Sequence, residues 1–357
     1  MLHVAVAMVS LAACLLSPPA AAAAAAGDPP RALAERGRAT LLAQAAPGAK
    51  PQQRTLRVAY LSSLSFSPLF LAIEKGYFQA ESLALDMQVV QSASDAIAFL
   101  GIGQMDLAVG NISDTLFNAI ERGVDVKIVA SMSYTQKDAA AQSPTPIFAA
   151  KALWDAGAVK TMADFKGRKI ALNTRGGIVE YQVAQSLRRV GLSIKDVEII
   201  SIPFPDMPVA LTKGAVDGAI MPEPIATAAR QRGIGVVVDP NPAPGVLVTV
   251  ALFGKNLLAA PEAPVATSVL RALRRAANEL QSPEAIMSAD NVKIWSKYTK
   301  LPAETIAQTR PYVFARDLEL DVANLVDQQR FLVEGGRVAR QHPVERVVDS
   351  RYVVRTR

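Results

Sequence analysis

Two short polar segments contain the side chains best suited to holding a small molecule. Ser65-Phe66-Ser67 stands directly before Pro68, and Thr174-Arg175-Gly176-Gly177 stands directly before a predicted helix that begins at Ile178. Ser followed by Pro is typical of a helix start, where free N–H groups and the positive end of the helix dipole attract anions. Glycines permit close backbone approach, and Arg175 can supply two parallel hydrogen bonds to an anion. A plain helix cap and an exposed loop charge are the ordinary alternatives.

Glu223 is the acidic residue placed best for contact with a ligand. It follows an apolar strand and stands between Pro222 and Pro224. Its carboxylate can accept a hydrogen bond from a ligand N–H or pair with a group at a hinge, and both interpretations stay open. Four aromatic residues are candidate stacking walls, although core packing is the ordinary role of each: Phe66, Tyr134, Tyr181 and Phe204.

Residue types that perform covalent or metal chemistry are scarce in this chain. It has two histidines, His3 and His342, and one cysteine, Cys14, and all three lie outside the strongly patterned stretch. A Ser nucleophile would have no His base there, and Cys and His are too few to form a metal cluster. We therefore predict no catalytic residue, no metal site and no cofactor, and the sequence does not indicate an enzyme.

The net charge of +6 is located at the two ends of the chain. Residues 28–54 carry +3 and residues 337–357 carry +4, so the stretch 55–336 is left with −1. Nucleic-acid binding requires a basic face on a folded domain together with base-stacking aromatic residues. We therefore predict no nucleic-acid partner and interpret residues 337–357 as a solvated basic tail.

Residues 1–26 have the pattern of a signal peptide. Val4–Leu16 is an apolar run too short to span a membrane, and small residues follow it up to Ala26. Residues 27–54, rich in Ala, Pro, Gly and Arg, are predicted to form a flexible linker. The pattern predicts a periplasmic or secreted protein. Leu11-Ala12-Ala13-Cys14 also resembles a lipoprotein cleavage box, so a lipid anchor through Cys14 stays an alternative.

An internal repeat supplies the elements that must position these residues. Strand 56–61, helix 68–75 and strand 84–90 are matched later by strand 169–172, helix 178–190 and strand 197–202. Each half continues with a tight turn into a buried strand, at Asp106 and at Asp217. The repeat predicts two βαβαβ lobes with parallel sheets, whose carboxyl-end loops face each other across a cleft. An α/β enzyme with accidental symmetry is the alternative, and helices are predicted from about residue 261 onward.

Seven motifs along the chain resemble, in order, those of one family. The chain is similar to the periplasmic solute-binding proteins for nitrate, taurine and aliphatic sulfonates, the NMT1/THI5-like or SsuA-like group. The motifs are V-A-Y-L at Val58–Leu61, P-L-F-L-A-I-E-K-G-Y-F at Pro68–Phe78, G-x-x-D at Gly103–Asp106, A-D-F-K-G-R-K-I-A at Ala163–Ala171, V-G-L-S-I-K-D-V at Val190–Val197, G-A-V-D-G-A at Gly214–Ala219 and E-P at Glu223-Pro224.

This resemblance implies an α/β fold of the type II periplasmic binding class, in which the chain crosses twice between lobes, near 133–145 and 244–250. Lobe 1 would then begin at 55–140, lobe 2 would span 141–247, and 248–336 would return to lobe 1 and add helices. The resemblance also implies a monomer that delivers a small-molecule ligand to an ABC permease with its ATPase. A sensing module for a receptor kinase stays open, whereas the thiamine-pyrimidine enzyme of this group uses a histidine that the lobes lack.

By motif position, the resemblance implies a set of ligand contacts on both lobes. The family often has Ser-Gly where this chain has Ser92-Ala93, and Gly-Ser where it has Gly176-Gly177. Since the missing hydroxyl is a donor commonly aimed at an oxyanion, a carboxylate or pyrimidine ligand is as consistent with the sequence as a sulfonate or nitrate. The implied contacts are Ser65, Phe66, Ser67, Ser92, Ser94, Asn111, Arg175, Gly176, Gly177 and Glu223.

Overall fold

A computed structural model of the chain describes residues 53–352. The predicted signal peptide, Cys14 and nearly all of the predicted linker lie outside the described residues. The strands of the described part are β1 (Arg54–Tyr60), β2 (Leu83–Val89), β3 (Leu107–Gly110), β4 (Val126–Tyr134), β5 (Ile147–Ala150), β6 (Lys169–Leu172), β7 (Glu198–Ser201), β8 (Gly218–Ile220), β9 (Gly235–Asp239), β10 (Leu247–Gly254) and β11 (Val313–Phe314).

Helices cover both faces of the sheets and form most of the C-terminal part. They are α1 (Ser67–Glu74), α2 (Tyr77–Ala80), α3 (Ala93–Gly101), α4 (Asp114–Glu121), α5 (Lys151–Asp155), α6 (Ile178–Arg188), α7 (Met207–Thr212), α8 (Ile225–Gln231), α9 (Lys255–Leu258), α10 (Ala263–Glu279), α11 (Pro283–Ile286), α12 (Ala289–Thr299), α13 (Ala303–Ile306), α14 (Val322–Glu334) and α15 (Val344–Val347). Within residues 53–352, no helix combines the length and the apolar character needed to cross a membrane.

The strands form two sheets, one in each lobe. Sheet 1 has the order β11-β4-β10-β3-β1-β2, and sheet 2 has the order β7-β6-β8-β5-β9. β1 pairs in parallel with β2 and β3, and β6 pairs in parallel with β7 and β8, so each lobe contains the predicted parallel core. The chain leaves sheet 1 after β4 and returns to it as β10, and it therefore crosses between the lobes at 135–146 and 240–246.

The sheets are not parallel throughout, which corrects the sequence prediction. β10 lies antiparallel between β3 and β4, and β5 lies antiparallel between β8 and β9. Both are the strands by which the chain enters a lobe from the other one, so they run against the strands beside them. All residues of β10 are buried, because this strand is central to sheet 1 and covered on both faces.

The internal repeat has a common hydrogen-bond pattern as its physical basis. The Asp106 carboxylate accepts from the backbone N–H of Arg57 at 2.8 Å, and the Asp217 carboxylate accepts from that of Lys169 at 2.7 Å. The N–H of each Asp donates to the carbonyl of the same partner residue at 2.9 Å. Asp106, directly before β3, therefore fixes the register between β3 and β1. Asp217, directly before β8, does the same for β8 and β6.

The C-terminal segment 337–352 is packed against lobe 1 rather than solvated, which corrects the tail prediction. Val338, Val347 and Val348 are buried, and Val348 forms a parallel bridge with Ile128 of β4. The basic side chains of this segment remain at the surface, where Arg340 pairs with Glu121 at 2.7 Å. The buried valines stand between charged residues in the sequence. Because arginines are so frequent in this segment, the apolar pattern is hard to recognise.

Candidate ligand-binding site

A cavity lies between the two sheets, where the parallel strands of both lobes end. Its walls leave about 50 Å³ for the centres of water-sized molecules, which is room for a few ordered waters. Its position agrees with the general rule that ligands of open α/β sheets bind beyond the carboxyl ends of the strands. Lobe 1 and the C-terminal part contribute Leu61, Ser63, Ser65, Phe66, Ala93, Gly110, Asn111, Val248, Thr249 and Tyr312, and lobe 2 contributes Thr145, Asn173, Ile178, Val179, Gln182, Phe204 and Pro222.

The helical segment after β1 begins one turn earlier than Ser67-Pro68. Ser63 caps a 3₁₀ turn over Leu64–Phe66, and its hydroxyl accepts from the N–H of Ser65 at 3.4 Å. α1 continues directly from this turn, and the Ser67 hydroxyl donates to the Leu64 carbonyl at 2.7 Å. Ser65 and Phe66 therefore line the cavity, whereas the hydroxyl of Ser67 is used inside the chain.

The predicted contacts that follow β2 and β3 separate into two groups. Ser92 caps α3 by accepting from the N–H of Asp95 at 3.3 Å, and Ser94 shares a 3.0 Å hydrogen bond with Thr115. Neither serine lines the cavity, although Ala93 between them does. Asn111, directly after β3, lies at the cavity as the motif predicts.

Arg175 lies outside the cavity, so the structure does not place it for the predicted contact with an anion. Its guanidinium donates to the carbonyl of Ile199, and its side chain lines a separate surface groove with Lys195 and Glu198. Thr174 is likewise absent from the cavity lining. The backbone of this loop faces lobe 1, whereas the guanidinium of Arg175 faces β7. Such an orientation cannot be inferred from residue types alone.

Gly176 forms a direct contact between the lobes. Its carbonyl accepts from the N–H of Asp114 in lobe 1 at 2.7 Å, and its own N–H donates to Glu180 at 2.5 Å. Its φ is +73°, and a Cβ atom there would lie 1.9 Å from the Asp114 Oδ2 atom. The adjacent Gly177 caps α6, and a Cβ atom there would lie 3.6 Å from the Asn111 Oδ1 atom. Gly176 therefore permits close approach of the lobes, whereas a Cβ atom at Gly177 would make an ordinary contact, and neither glycine lines the cavity.

Glu223 is completely buried and paired within the protein. Its carboxylate accepts from the N–H and hydroxyl of Thr227, both at 2.9 Å, and from Arg230 at 2.7 Å. A weaker hydrogen bond comes from the N–H of Arg310 in the C-terminal part, at 3.3 Å. These donors agree with the hinge-pairing interpretation, and Pro222 rather than Glu223 lines the cavity.

Several polar residues of the cavity were not singled out from the sequence. Gln182 lies one turn beyond Ile178 on α6, so the i, i+4 spacing from the apolar start of that helix was the available signal. Tyr312 comes from the C-terminal part, and its hydroxyl lies beside Ser63 and Ser65. Burial raises the pKa of this hydroxyl above its ordinary value, so Tyr312 stays neutral at physiological pH. The other polar residues missed are Ser63, Thr145, Asn173 and Thr249.

No charged side chain is among the described residues that line the cavity. Serine, threonine and tyrosine hydroxyls, side-chain amides and apolar groups form its walls. Where burial is deep, a charged ligand group requires an opposite charge or a dense set of donors, because removing the charge from water is costly. The described lining therefore offers a ligand neutral hydrogen-bonding groups and no opposite charge.

One flank of the cleft is closed by an ionic contact between α6 and the C-terminal segment. Arg337 pairs with Glu180 of α6 at 2.9 Å and approaches Asp114 of α4 to 3.8 Å. The hydroxyl of Tyr181 on α6 also donates to Asp327 of α14. Burial raises the pKa of the Asp114 carboxyl, and the charge of Glu180 adds to the rise, although Thr115 and Arg337 oppose it. These contacts join lobe 2 to elements that pack in lobe 1.

On another side, the cavity continues into a second depression, whose walls include Ser62, Gln91 and Glu223 as well as apolar residues. The two share Leu61, Ser63, Phe204 and Pro222. Further walls of the depression include Val89, which is 50% exposed, and Ile225. The depression therefore connects the cavity to the protein surface and forms its mouth.

Comparison with known proteins assigns the chain to a family. A family model described as NMT1/THI5 like matches residues 63–286, which is more than half of the chain. The chain belongs to the NMT1/THI5-like family. The resemblance seen in the sequence motifs is thereby confirmed.

Solved structures similar to this NMT1/THI5-like chain include periplasmic binding proteins. The alkanesulfonate-binding protein SsuA from Xanthomonas axonopodis pv. citri, bound to MOPS, is 21% identical with a TM-score of 0.66, over 87% of this chain and 100% of that one. The nitrate-binding protein NrtA from Synechocystis is 15% identical with a TM-score of 0.64, over 84% of this chain and 87% of that one. These likenesses confirm the type II periplasmic binding fold.

Sequence comparison finds a relative that is named for a different ligand. The riboflavin-binding protein RibY from Chloroflexus aurantiacus is 26% identical over 250 residues. The match spans 67% of this chain and 66% of RibY, slightly less than two thirds of the relative's length. The relatives of this NMT1/THI5-like chain therefore include binding proteins for anions and for an uncharged ring compound.

The histidine among the described residues lies away from the cavity. His342 is buried against Phe117, with ring centroids 5.9 Å apart, and lies near Glu121 on the outer side of lobe 1. Burial lowers the pKa of this imidazole. Within the part of the chain that the structure describes, no three His, Cys, Asp or Glu side chains cluster as metal ligands.

Proposed function

We propose that this NMT1/THI5-like protein is the solute-binding component of an ABC importer and that it captures an uncharged ring compound of the flavin or pyrimidine type. The observation that carries the proposal is the cavity lining, which comes from both lobes and contains no charged side chain among the described residues. A ligand that contacts both lobes stabilises their closed arrangement, and a membrane permease would receive the ligand from that form. The chain would act in the periplasm.

The backbone of the Ser63 turn also favours an uncharged ligand over sulfonate or nitrate. At the Ser63 turn, the N–H of Phe66 donates to the Ser63 carbonyl at 3.1 Å, and that of Leu64 donates to the Glu223 carbonyl at 3.4 Å. These donors are used within the protein, so they do not form an anion-binding helix start. The guanidinium of Arg175, the cation expected to meet an anion, is turned away.

Aromatic walls support a planar ligand. Phe66 and Tyr312 line the cavity from one side of the cleft, and Phe204 lines it from the other. Flat rings bury a large apolar area against such side chains and stack on them favourably. The riboflavin named in the RibY description is a planar, uncharged ring system with a polar chain, and the mouth beside Phe204 offers such a chain a route to the surface.

Thermal unfolding with candidate solutes tests this proposal. The purified chain, freed of bound solute by unfolding and refolding, is melted with riboflavin, taurine or nitrate. Riboflavin at a hundredfold excess over Kd should raise Tm by about 5 °C, because it binds only the folded state. Taurine and nitrate should leave Tm unchanged.

Two variants of one loop make the test specific. Asn173 lines the cavity, whereas Arg175, two residues later, donates to Ile199 outside it. Asn173→Ala should weaken riboflavin binding about tenfold, the effect of losing one buried hydrogen bond. Arg175→Ala should bind riboflavin like the unchanged protein. A Tm shift with taurine or nitrate that disappears in Arg175→Ala would overturn the proposal.

A further inference from the structure

Gln182 is a fully buried polar residue of the cavity, and its hydrogen bonding is incomplete. Its side chain is fully buried and lines the cavity from α6. Its Nε2 atom donates to the Thr145 hydroxyl at 2.7 Å, whereas its Oε1 atom has no hydrogen-bond partner among the described residues. A buried carbonyl oxygen without a donor is energetically unfavourable. Such an oxygen beside a ligand cavity indicates that the missing donor comes from the ligand.

The neighbours of Gln182 contact the Nε2 end of its amide. Thr145 accepts from Nε2 and is itself fixed, because its hydroxyl lies 3.2 Å from that of Ser143 and its N–H donates to the Ser143 hydroxyl, also at 3.2 Å. Both Thr145 and Ser143 are buried. With Nε2 engaged by this pair, Oε1 is the end of the amide that remains to accept a hydrogen bond.

Other hydroxyl groups of the cavity are engaged within the protein. Ser63 and Ser65 share a 3.0 Å hydrogen bond, and Thr249 lies 2.6 Å from the Ser133 hydroxyl. The fully buried Gln182 thus offers an acceptor, and it does so on the lobe 2 side, one turn from the cavity residues Ile178 and Val179. An acceptor without charge pairs well with the N–H of a neutral ring and poorly with nitrate or a sulfonate group, which carry only acceptors.

We propose that Gln182 selects ligands that carry a ring N–H, of the cyclic imide or lactam class, by accepting that hydrogen through Oε1. This inference rests on the proposed function, because it takes the cavity to be the binding site of an uncharged ring compound. The inference adds the requirement that the ring nitrogen of the ligand carry a hydrogen atom. An N-alkylated analogue of the same ring has no hydrogen to donate and places an alkyl group against a buried oxygen.

Titration with a matched pair of flavins tests the inference. Riboflavin carries an imide N–H in its ring, and 3-methylriboflavin carries a methyl group at that nitrogen. Binding to the refolded chain is measured by quenching of flavin fluorescence. Riboflavin should bind at least about tenfold more tightly than its methylated form, since a site built around a donor rejects the analogue that lacks it.

Gln182→Leu identifies the residue responsible for the preference. This variant should bind the two flavins with affinities within about threefold of each other, because neither meets an acceptor. Gln185→Leu is the matched control: Gln185 lies on the same helix but borders a surface groove with Arg189 and Asp327, so the tenfold preference should persist. Melting of both variants without ligand confirms that they are folded.

The outcomes separate this inference from the proposed function. Equal binding of both flavins to the unchanged protein, or a preference that persists in Gln182→Leu, overturns the role of Gln182 and leaves an uncharged ring as the ligand class. Absence of binding by either flavin, with a Tm shift caused by an anion, overturns the proposed function and this inference together.

Discussion

Glu223 combines complete burial with a full set of protein donors. Thr227 and Arg230 follow it within α8, and the fourth hydrogen bond comes from Arg310 in the C-terminal part. The carboxylate thus joins lobe 2 to a segment distant in sequence. A buried charge in such a position belongs to the framework of the cleft, since removal of either partner leaves the other charge uncompensated.

Replacement of Glu223 should therefore reduce stability more than it changes ligand choice. Glu223→Ala leaves Arg230 without its partner and Arg310 without an acceptor, and we expect the free energy of unfolding to fall by about 3 kcal/mol. Urea denaturation followed by circular dichroism measures this change. Glu198→Ala, at an exposed position in β7, is the control and should remain within about 0.5 kcal/mol of the unchanged protein. Normal stability of Glu223→Ala together with lost riboflavin binding would instead place Glu223 in contact with the ligand.

The sequence predicted part of the cavity at the level of single residues. Ser65, Phe66 and Asn111 follow strands with recognisable patterns, and they line the cavity as their positions suggested. Gln182 was missed because a polar residue inside a helix usually faces solvent. Tyr312 was missed because no pattern links a residue of the C-terminal part to a loop more than 240 positions earlier, although the structure brings it beside Ser63 and Ser65.

At the scale of elements, the first turns of α4 and α6 meet across the cleft. Asp114, at the start of α4, contacts Gly176, just before α6, through the 2.7 Å backbone hydrogen bond. Arg337 completes this contact by pairing with Glu180. The close approach of the two lobes therefore depends on Gly176, a position where a side chain would meet Asp114.

A methyl group at Gly176 should keep the lobes apart. Gly176→Ala introduces a Cβ atom 1.9 Å from the Asp114 Oδ2 atom, and we expect riboflavin affinity to fall at least about tenfold. Gly191→Ala is a matched control, since its φ is +74° and no atom lies within 4 Å of its added Cβ. Both variants have a similar backbone cost, about 1 kcal/mol, so a similar decrease in Tm is expected. Equal affinities of the two variants would show that the Asp114 contact does not limit closure.

Element prediction succeeded where the signal is local. The strands and helices of the repeat show apolar periodicity and glycine ends within short windows, and they were found within a few residues of their true bounds. The antiparallel positions of β5 and β10 were not foreseen, because strand order depends on pairing between distant segments. The packed segment 337–352 was not foreseen either, since its arginines mask the buried valines.

At the scale of the whole molecule, pH acts through carboxylates that hold strands together. Burial raises the pKa of Asp106, but hydrogen bonds from the guanidinium and N–H of Arg57 and from Asn256 outweigh it, so the pKa lies below its ordinary value of 3.8. A carboxyl group with a lowered pKa in the folded state stabilises that state above the unfolded pKa. This contribution disappears as the pH falls through the folded value.

Acid unfolding should reveal this contribution. We expect the free energy of unfolding to decrease as the pH falls below about 4, and the decrease should be smaller in Asp106→Asn, which has no carboxyl group to protonate there. Asp290→Asn, at a side chain that is 90% exposed, is the control. Its free energy of unfolding should depend on pH as that of the unchanged protein does. Urea titrations at successive pH values give the comparison. An Asp106→Asn protein with an unchanged slope would contradict the role of this carboxylate.

The position of β10 also determines when each half of the molecule can be completed. Sheet 2 is built from one uninterrupted stretch, 147–239, whereas sheet 1 has a gap between β3 and β4 until residues 247–254 are available. A chain that emerges from its amino end can therefore finish the second lobe while the first still exposes two unpaired strand edges. Such edges are sites of mispairing and aggregation, so a holding chaperone would be needed most for the half that is made first.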